Sequence, residues 1–166
     1  MPTSPYGLGD MYLEVKGKVH GPIKGESLIA EMKDKIEVLR WSWGMQARHQ
    51  AGSPSGRATT NDLKIVKRVD RASTGLMLAL RTNEELEATL TLRKAGPERA
   101  LKYLEIKIKE GRVTSLTLEG GDGTGGADVL EHVSFTFGRI TVDYTPQGAD
   151  GNPQGALSFD DQWTKE

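Results

Sequence analysis

Apolar and polar residues alternate along most of this chain with a period of two, as in strands with one packed and one wet face. Residues 10–16 set Met11, Leu13 and Val15 against Tyr12, Glu14 and Lys16. Residues 36–45, IEVLRWSWGM, predict a strand carrying Leu39, Trp41, Trp43 and Met45 on one face. Val38, Arg40, Ser42 and Gly44 fall on the other. Residues 62–69 follow, with Leu63, Ile65 and Val69 in phase. A run from 85 to 94 alternates Leu86, Ala88, Leu90 and Leu92 with polar partners, and Leu104, Ile106 and Ile108 repeat the pattern after a turn at 95–98. Glu110-Gly111 predicts a tight connection into a strand at 112–119. Val133, Phe135 and Phe137 come next, then Ile140, Val142 and Tyr144 beyond a turn at Gly138-Arg139, and a last short strand at 156–159.

Only residues 72–82, Ala72 to Thr82, keep a helical period. Leu76, Met77 and Leu80 form the stripe, and Asp70 or Ser73 is the candidate cap. Several stretches carry no period. Residues 1–9 are expected to fray. Residues 17–35 read as irregular, with a turn at HGPIKG and at most one helical turn at 27–33. Residues 47–60, ARHQAGSPSGRATT, form a long loop, and loops of that length are usually functional or disordered. GGDGTGG at 120–126 reads as a flexible loop, and the tail at 147–166 is left open. Strands in unbroken succession pair antiparallel. The expected fold is therefore mainly β, an antiparallel two-sheet sandwich or closed barrel with one helix at 72–82 and long extended loops, in a single domain spanning 1–166.

The polar faces of so many strands must meet solvent, another subunit or a watery channel. Trp41 and Trp43 supply a large apolar anchor, and each ring N–H needs a partner once buried; tryptophans filling an ordinary core account for them equally well. The functional question therefore moves to Arg40 and Ser42. Lys and Arg total 22 against 23 acidic residues, so no net field draws nucleic acid or an anionic membrane. The chain has no Cys, which excludes disulfides, thiolate metal sites and a Cys nucleophile. No apolar run approaches the roughly 18 residues of a membrane span, and MPTSPYGLGD does not read as a cleavable leader. The expected product is soluble and made in the cytosol.

Chemistry is scarce. His20, His49 and His132 share no ligand spacing, so no metal is expected. Gly121, Gly123 and Gly126 satisfy G-x-G-x-x-G, but the next segment alternates as a strand rather than opening a helix. Ser134 and Thr136 lie in no nucleophile elbow. The acidic pairs Glu84-Glu85 and Asp160-Asp161 read as solvated surface. Neither an enzyme nor a cofactor is expected.

The assembled motifs carry more. WSWG at 41–44, LMLA at 76–79, TLRKAG at 91–96 and VDYTPQ at 142–147 stand in one order across roughly residues 11–147. In that order they resemble the haemolysin-coregulated protein (Hcp) family, the tube subunit of bacterial type VI secretion. The resemblance implies a tight barrel with a flanking helix, assembling as a homohexameric ring. Rings stack into a tube that a contractile sheath expels behind a spike protein, with effector proteins carried in the lumen. It implies a non-enzymatic protein that is cytoplasmic and then exported without a cleavable signal. On that reading Ser42 and Arg40 face the lumen and touch cargo, and Trp41 and Trp43 anchor the barrel. Arg48, His49 and Arg57 of the long loop reach the neighbouring ring. The ending LSFDDQWTKE departs from the Gly-Trp-Asx ending common in the family, and the 47–60 loop differs in composition. Two alternatives stay open: a phage-like tail-tube protein, and a monomeric β-barrel that binds a small ligand or glycan.

Overall fold

A computed structural model describes residues 10–47, 58–121 and 129–163. The elements run β1 (Asp10–Gly17), β2 (Gly21–Ile23), β3 (Ile36–Glu37), β4 (Arg40–Ser42), β5 (Met45–Ala47), β6 (Ala58–Thr60), β7 (Leu63–Arg68), α1 (Ser73–Thr82), β8 (Leu86–Lys94), β9 (Leu101–Gly120), β10 (Val129–Thr136), β11 (Arg139–Tyr144) and β12 (Leu157–Gln162). Every strand pairing is antiparallel, as unbroken succession of strands requires.

β9 organises the sheet. Its first half lies between β8 and β11, and its second half pairs with β10. β10 and β11 follow one another along the same edge of β9, so the whole is a single long hairpin creased at its middle. The crease replaces the tight connection expected at Glu110-Gly111. Glu110 takes the left-handed conformation, at φ 52°, and re-aims the strand without reversing it. The Gly138 N–H lies opposite, donating to the carbonyls of both Lys109 and Glu110 at 3.1 and 3.2 Å.

β1 lies beside β8 on one side of the crease, and β7 beside β10 on the other. The segment 36–42 joins these two outer strands. The Val38 N–H donates to Met11 in β1 at 3.1 Å, and the very next N–H, from Leu39, donates to Val66 in β7 at 2.8 Å. This handover closes the ring of strands. It also corrects the expected single strand at 36–45, which is three short pieces. The phase turns over between them, so Val38 is buried while Leu39 and Met45 are exposed. Two further expectations change. Residues 17–35 contain β2, paired with β1, and the base of the 47–60 loop is a two-stranded β5–β6 ribbon.

The barrel interior is solid. Leu13, Leu63, Leu90, Ile106, Val133 and Phe135 are each at most 1% exposed, and burying each such side chain contributes about 1.5–3 kcal/mol. α1 lays Leu76 and Ala79 on this core. Ala72 occupies its N-cap without a side-chain bond; Asp70 instead accepts the Ala72 N–H at 2.9 Å, and the Ser73 hydroxyl accepts the Asp70 N–H at 3.0 Å. The helix ends on Asn83 at φ 54°, with the Glu84 N–H returning to the Ala79 carbonyl.

Candidate functional site

The strand register assembles a polar face on the outside of the β4–β7–β10–β9 sheet. One row runs Ser42, Lys64, Ser134, Ser115, and the next runs Arg40, Val66, His132, Thr117. Directly opposed side chains in such rows have Cβ atoms about 4.5–5.5 Å apart, and diagonal neighbours about 7–8 Å. Alternation sets the face: Leu63 and Ile65 point into the barrel, so Lys64 points out and is exposed. Arg40 and Ser42 are exposed in the same way.

Trp41 and Trp43 turn the other way and pack, half-buried, against the core. The Trp43 indole N–H donates to the Thr60 hydroxyl at 2.8 Å, which ties this strand to the base of the β5–β6 ribbon. Arg48, His49 and Arg57 lie outside the described residues, as do Gly123 and Gly126 of the glycine motif.

The two polar faces of the protein differ in charge. On the β1–β8–β9–β11–β12 face, cations meet carboxylates: Lys16 and Lys35 on Glu14, Lys102 and Lys107 on Glu105, Arg139 on Asp160. The Arg139 hydrogen bonds hold the Asp160 carboxyl below its ordinary range. Around Ser42, Arg40 and Lys64 have no carboxylate partner among the described residues. The acids on this face sit at its margins. Glu119 faces His132 Nε2 at 3.2 Å, and Asp62 accepts the Thr114 hydroxyl at 2.7 Å.

Sequence reasoning missed three features. Nothing in the pattern of residues 62–69 singles out Lys64; its position beside Ser42 follows from register with a strand some twenty residues earlier. Lys67 continues the inward phase of Leu63 and Ile65 and is fully buried, whereas Val69, expected inward, is 44% exposed. Glu84, read as solvated surface, is buried and accepts hydrogen bonds from the Val19 and His20 N–H groups. The only cue for Lys67 was a lysine at an apolar phase position, and for Glu84 nothing local distinguished it from Glu85.

Leu13, Leu63, Leu90, Ile106, Val133 and Phe135, which point into the barrel core, are each at most 1% exposed. A cleft of about 320 Å³ lies outside it, between β2 and α1, lined by Ile23, Gly75 and Leu78 with Lys24, Arg71 and Glu84.

Comparison with known proteins agrees with the motifs. A family model described as type VI secretion system effector, Hcp, matches residues 12–144. Protein hcp1 of Pseudomonas aeruginosa is 38% identical over 152 residues, covering 88% of this chain and 89% of that protein. The crystal structure of a type VI secretion system effector from Yersinia pestis is 28% identical with a TM-score of 0.72, over 92% of this chain and 99% of that one. A variant of the Hcp1 protein from the E. coli EAEC 042 pathovar shares the fold, with a TM-score of 0.78 at 21% identity, over 93% of this chain and 99% of that one.

Proposed function

We infer that this chain, which belongs to the haemolysin-coregulated protein (Hcp) family of type VI secretion, is a tube subunit whose identical copies enclose a wet bore lined by Arg40 and Ser42. The supporting observation is where space is missing. The barrel core is filled, and the tryptophans of WSWG turn inward onto it, so any room for cargo must lie between copies. Ser42 presents a small hydroxyl, exposed, on a face without large apolar groups beside it. Such a wall suits weak, polar, sequence-tolerant contact, with avidity from repeated copies.

A second observation supports association. β11 carries β12 along its outer edge, and Tyr144, Leu157 and Phe159 of this hairpin are 43%, 66% and 40% exposed. Among the described residues β12 pairs only with β11. An apolar face and a free edge of this kind are protected by a neighbouring copy in a closed ring. The ring is six-membered and stacks on further rings through the 47–60 loop, with Arg48, His49 and Arg57 at the junction. A contractile sheath surrounds the stack, a spike protein tips it, and effector proteins travel inside. The role is structural rather than catalytic, and export needs no cleavable leader.

Native mass spectrometry gives the subunit number directly; a species of one subunit at high concentration overturns the ring. Ser42→Gln should reduce co-secretion of cargo while the ring mass is kept, and unchanged cargo binding removes Ser42 from the site. Deleting the tip of the 47–60 loop should abolish tube formation and spare single rings. Tubes that still form would refute the stacking role.

A further inference from the structure

We propose that the face around Ser42 selects cargo segments rich in Asp and Glu. The proposal rests on reading that face as the cargo wall, and adds the chemistry it recognises. Lys64 stands directly opposite Ser42, and Arg40 lies two residues along the same strand face. Both cations are exposed and meet no carboxylate among the described residues. On the other polar face Glu14, Glu105 and Asp160 pair with Lys16, Lys35, Lys102, Lys107 and Arg139 and leave Lys109 as the exposed cation of β9 without a carboxylate among the described residues. The charge around Ser42 is therefore a local excess on a chain whose net formal charge is only −1. An acidic side chain reaching the wall meets a hydroxyl between two cations, and charge-assisted hydrogen bonds of that kind are the strong ones. Repetition around a ring multiplies a weak site.

A protein segment fits better than nucleic acid. Single strands are held by aromatic platforms along a basic groove. Here the neighbouring positions are Val66, Ser115, Thr117, His132 and Ser134; the one ring among them, His132, faces the Glu119 carboxylate, while Trp41 and Trp43 pack inward.

The test uses the assembled full-length protein and three fluorescent probes: an alternating Glu/Ser peptide, its Lys/Ser counterpart, and single-stranded DNA of equal charge. The Glu/Ser peptide should bind the unaltered protein and weaken as salt rises, since exposed charges are screened beyond about 8 Å at physiological ionic strength. Arg40→Glu with Lys64→Glu should weaken it on the order of ten-fold and admit the Lys/Ser peptide instead. Ring mass should stay unchanged. If the reversed pair fails to assemble, Arg40→Gln with Lys64→Gln removes the charge alone and should still lose the Glu/Ser peptide. Equal binding by unaltered and charge-altered rings overturns the proposal, and so does DNA binding as tight as the peptide. Cargo co-secretion separates it from the reading beneath. Loss in Ser42→Gln with none in the charge variants keeps the cargo wall and refutes its acidic preference. No loss in Ser42→Gln refutes the cargo wall and this proposal with it.

Discussion

Lys67 and Glu131 face each other inside the barrel, directly opposed in the β7–β10 register and both fully buried. The ammonium donates to Glu131 Oε1, to Asp70 at 2.8 Å and to the Ser73 hydroxyl at 3.3 Å. Ser73 in turn donates to Glu131 Oε1 at 3.0 Å. The first residue of α1 is therefore fastened to an ion pair in the barrel wall, which fixes where the helix enters.

Breaking such a pair from one side leaves an uncompensated buried charge, at about 3–5 kcal/mol. Lys67→Met or Glu131→Leu should each destabilise by that order in denaturant titration. The double substitution should recover the part of the loss that belongs to Glu131 but not the part that belongs to Asp70, which also pairs with Lys67 and would keep its Ala72 N–H bond alone. Single variants as stable as the double would show that the pair carries no weight.

Glu84 gives the acid limb of stability. Burial opposes its charge, but the His20 N–H at 2.6 Å, the His20 ring at 2.9 Å and the Val19 N–H at 2.7 Å together hold its carboxyl below the ordinary 4.5. A depressed carboxyl contributes stability that is fully present above about pH 4.5 and lost as pH falls through the folded-state value. Glu84→Gln should lower stability at neutral pH and flatten the decline below about pH 4.5. Denaturant midpoints measured across that range check it; an unchanged slope would assign the limb elsewhere.

Tyr12 works at the alkaline end. Burial, then the charge of Asp10 and a hydrogen bond to it at 3.0 Å, push the phenol up to about 12. Arg93 holds Asp10 through two bonds of 2.9 and 2.8 Å and lies over the Tyr12 ring. The contribution is fully present below the unfolded value of 10 and is lost as pH rises through about 12. Asp10→Asn should shift the near-ultraviolet phenolate titration of Tyr12 downward and loosen the β1–β8 edge. A titration that does not move would leave burial as the sole cause.

The β11–β12 face predicts assembly rather than folding. Leu157→Glu with Phe159→Glu should split the assembly into smaller species on native mass spectrometry. The thermal midpoint of the separated subunit should change little, because both side chains are already exposed in one copy. An intact assembly would move the subunit contact away from this hairpin.

Much of this architecture was legible in local pattern, and the exceptions share one cause. Alternation located β7, β8, β10 and β11 because one face of each meets the core, and the stripe of Leu76 and Leu80 located α1. Glu110-Gly111 looked like a reversal because a hairpin turn and a bulge use the same residue types; the carbonyl partner at Gly138 decides between them. Val38 and Leu39 broke phase because consecutive N–H groups bind different strands. At the candidate site, the exposure of Arg40 and Ser42 followed from period, whereas the closeness of Lys64 did not. Register is a property of two strands at once, and one strand's residues do not contain it.

The handover at Val38 and Leu39 divides the barrel into two complementary half-shells. β1, β3, β4 and β7 form one from the early part of the chain, and β8, β9 and β10 form the other, with α1 as the strap between them. Neither shell finishes its own hydrogen bonding, since the free edges of β1 and β7 are supplied only by β8 and β10. Closure therefore waits on pairings distant in sequence, which are the slow ones to form. A ribosome delivers a partner for β1 with β8, but the edge of β7 has nothing to close against until β10 emerges at Val129–Thr136.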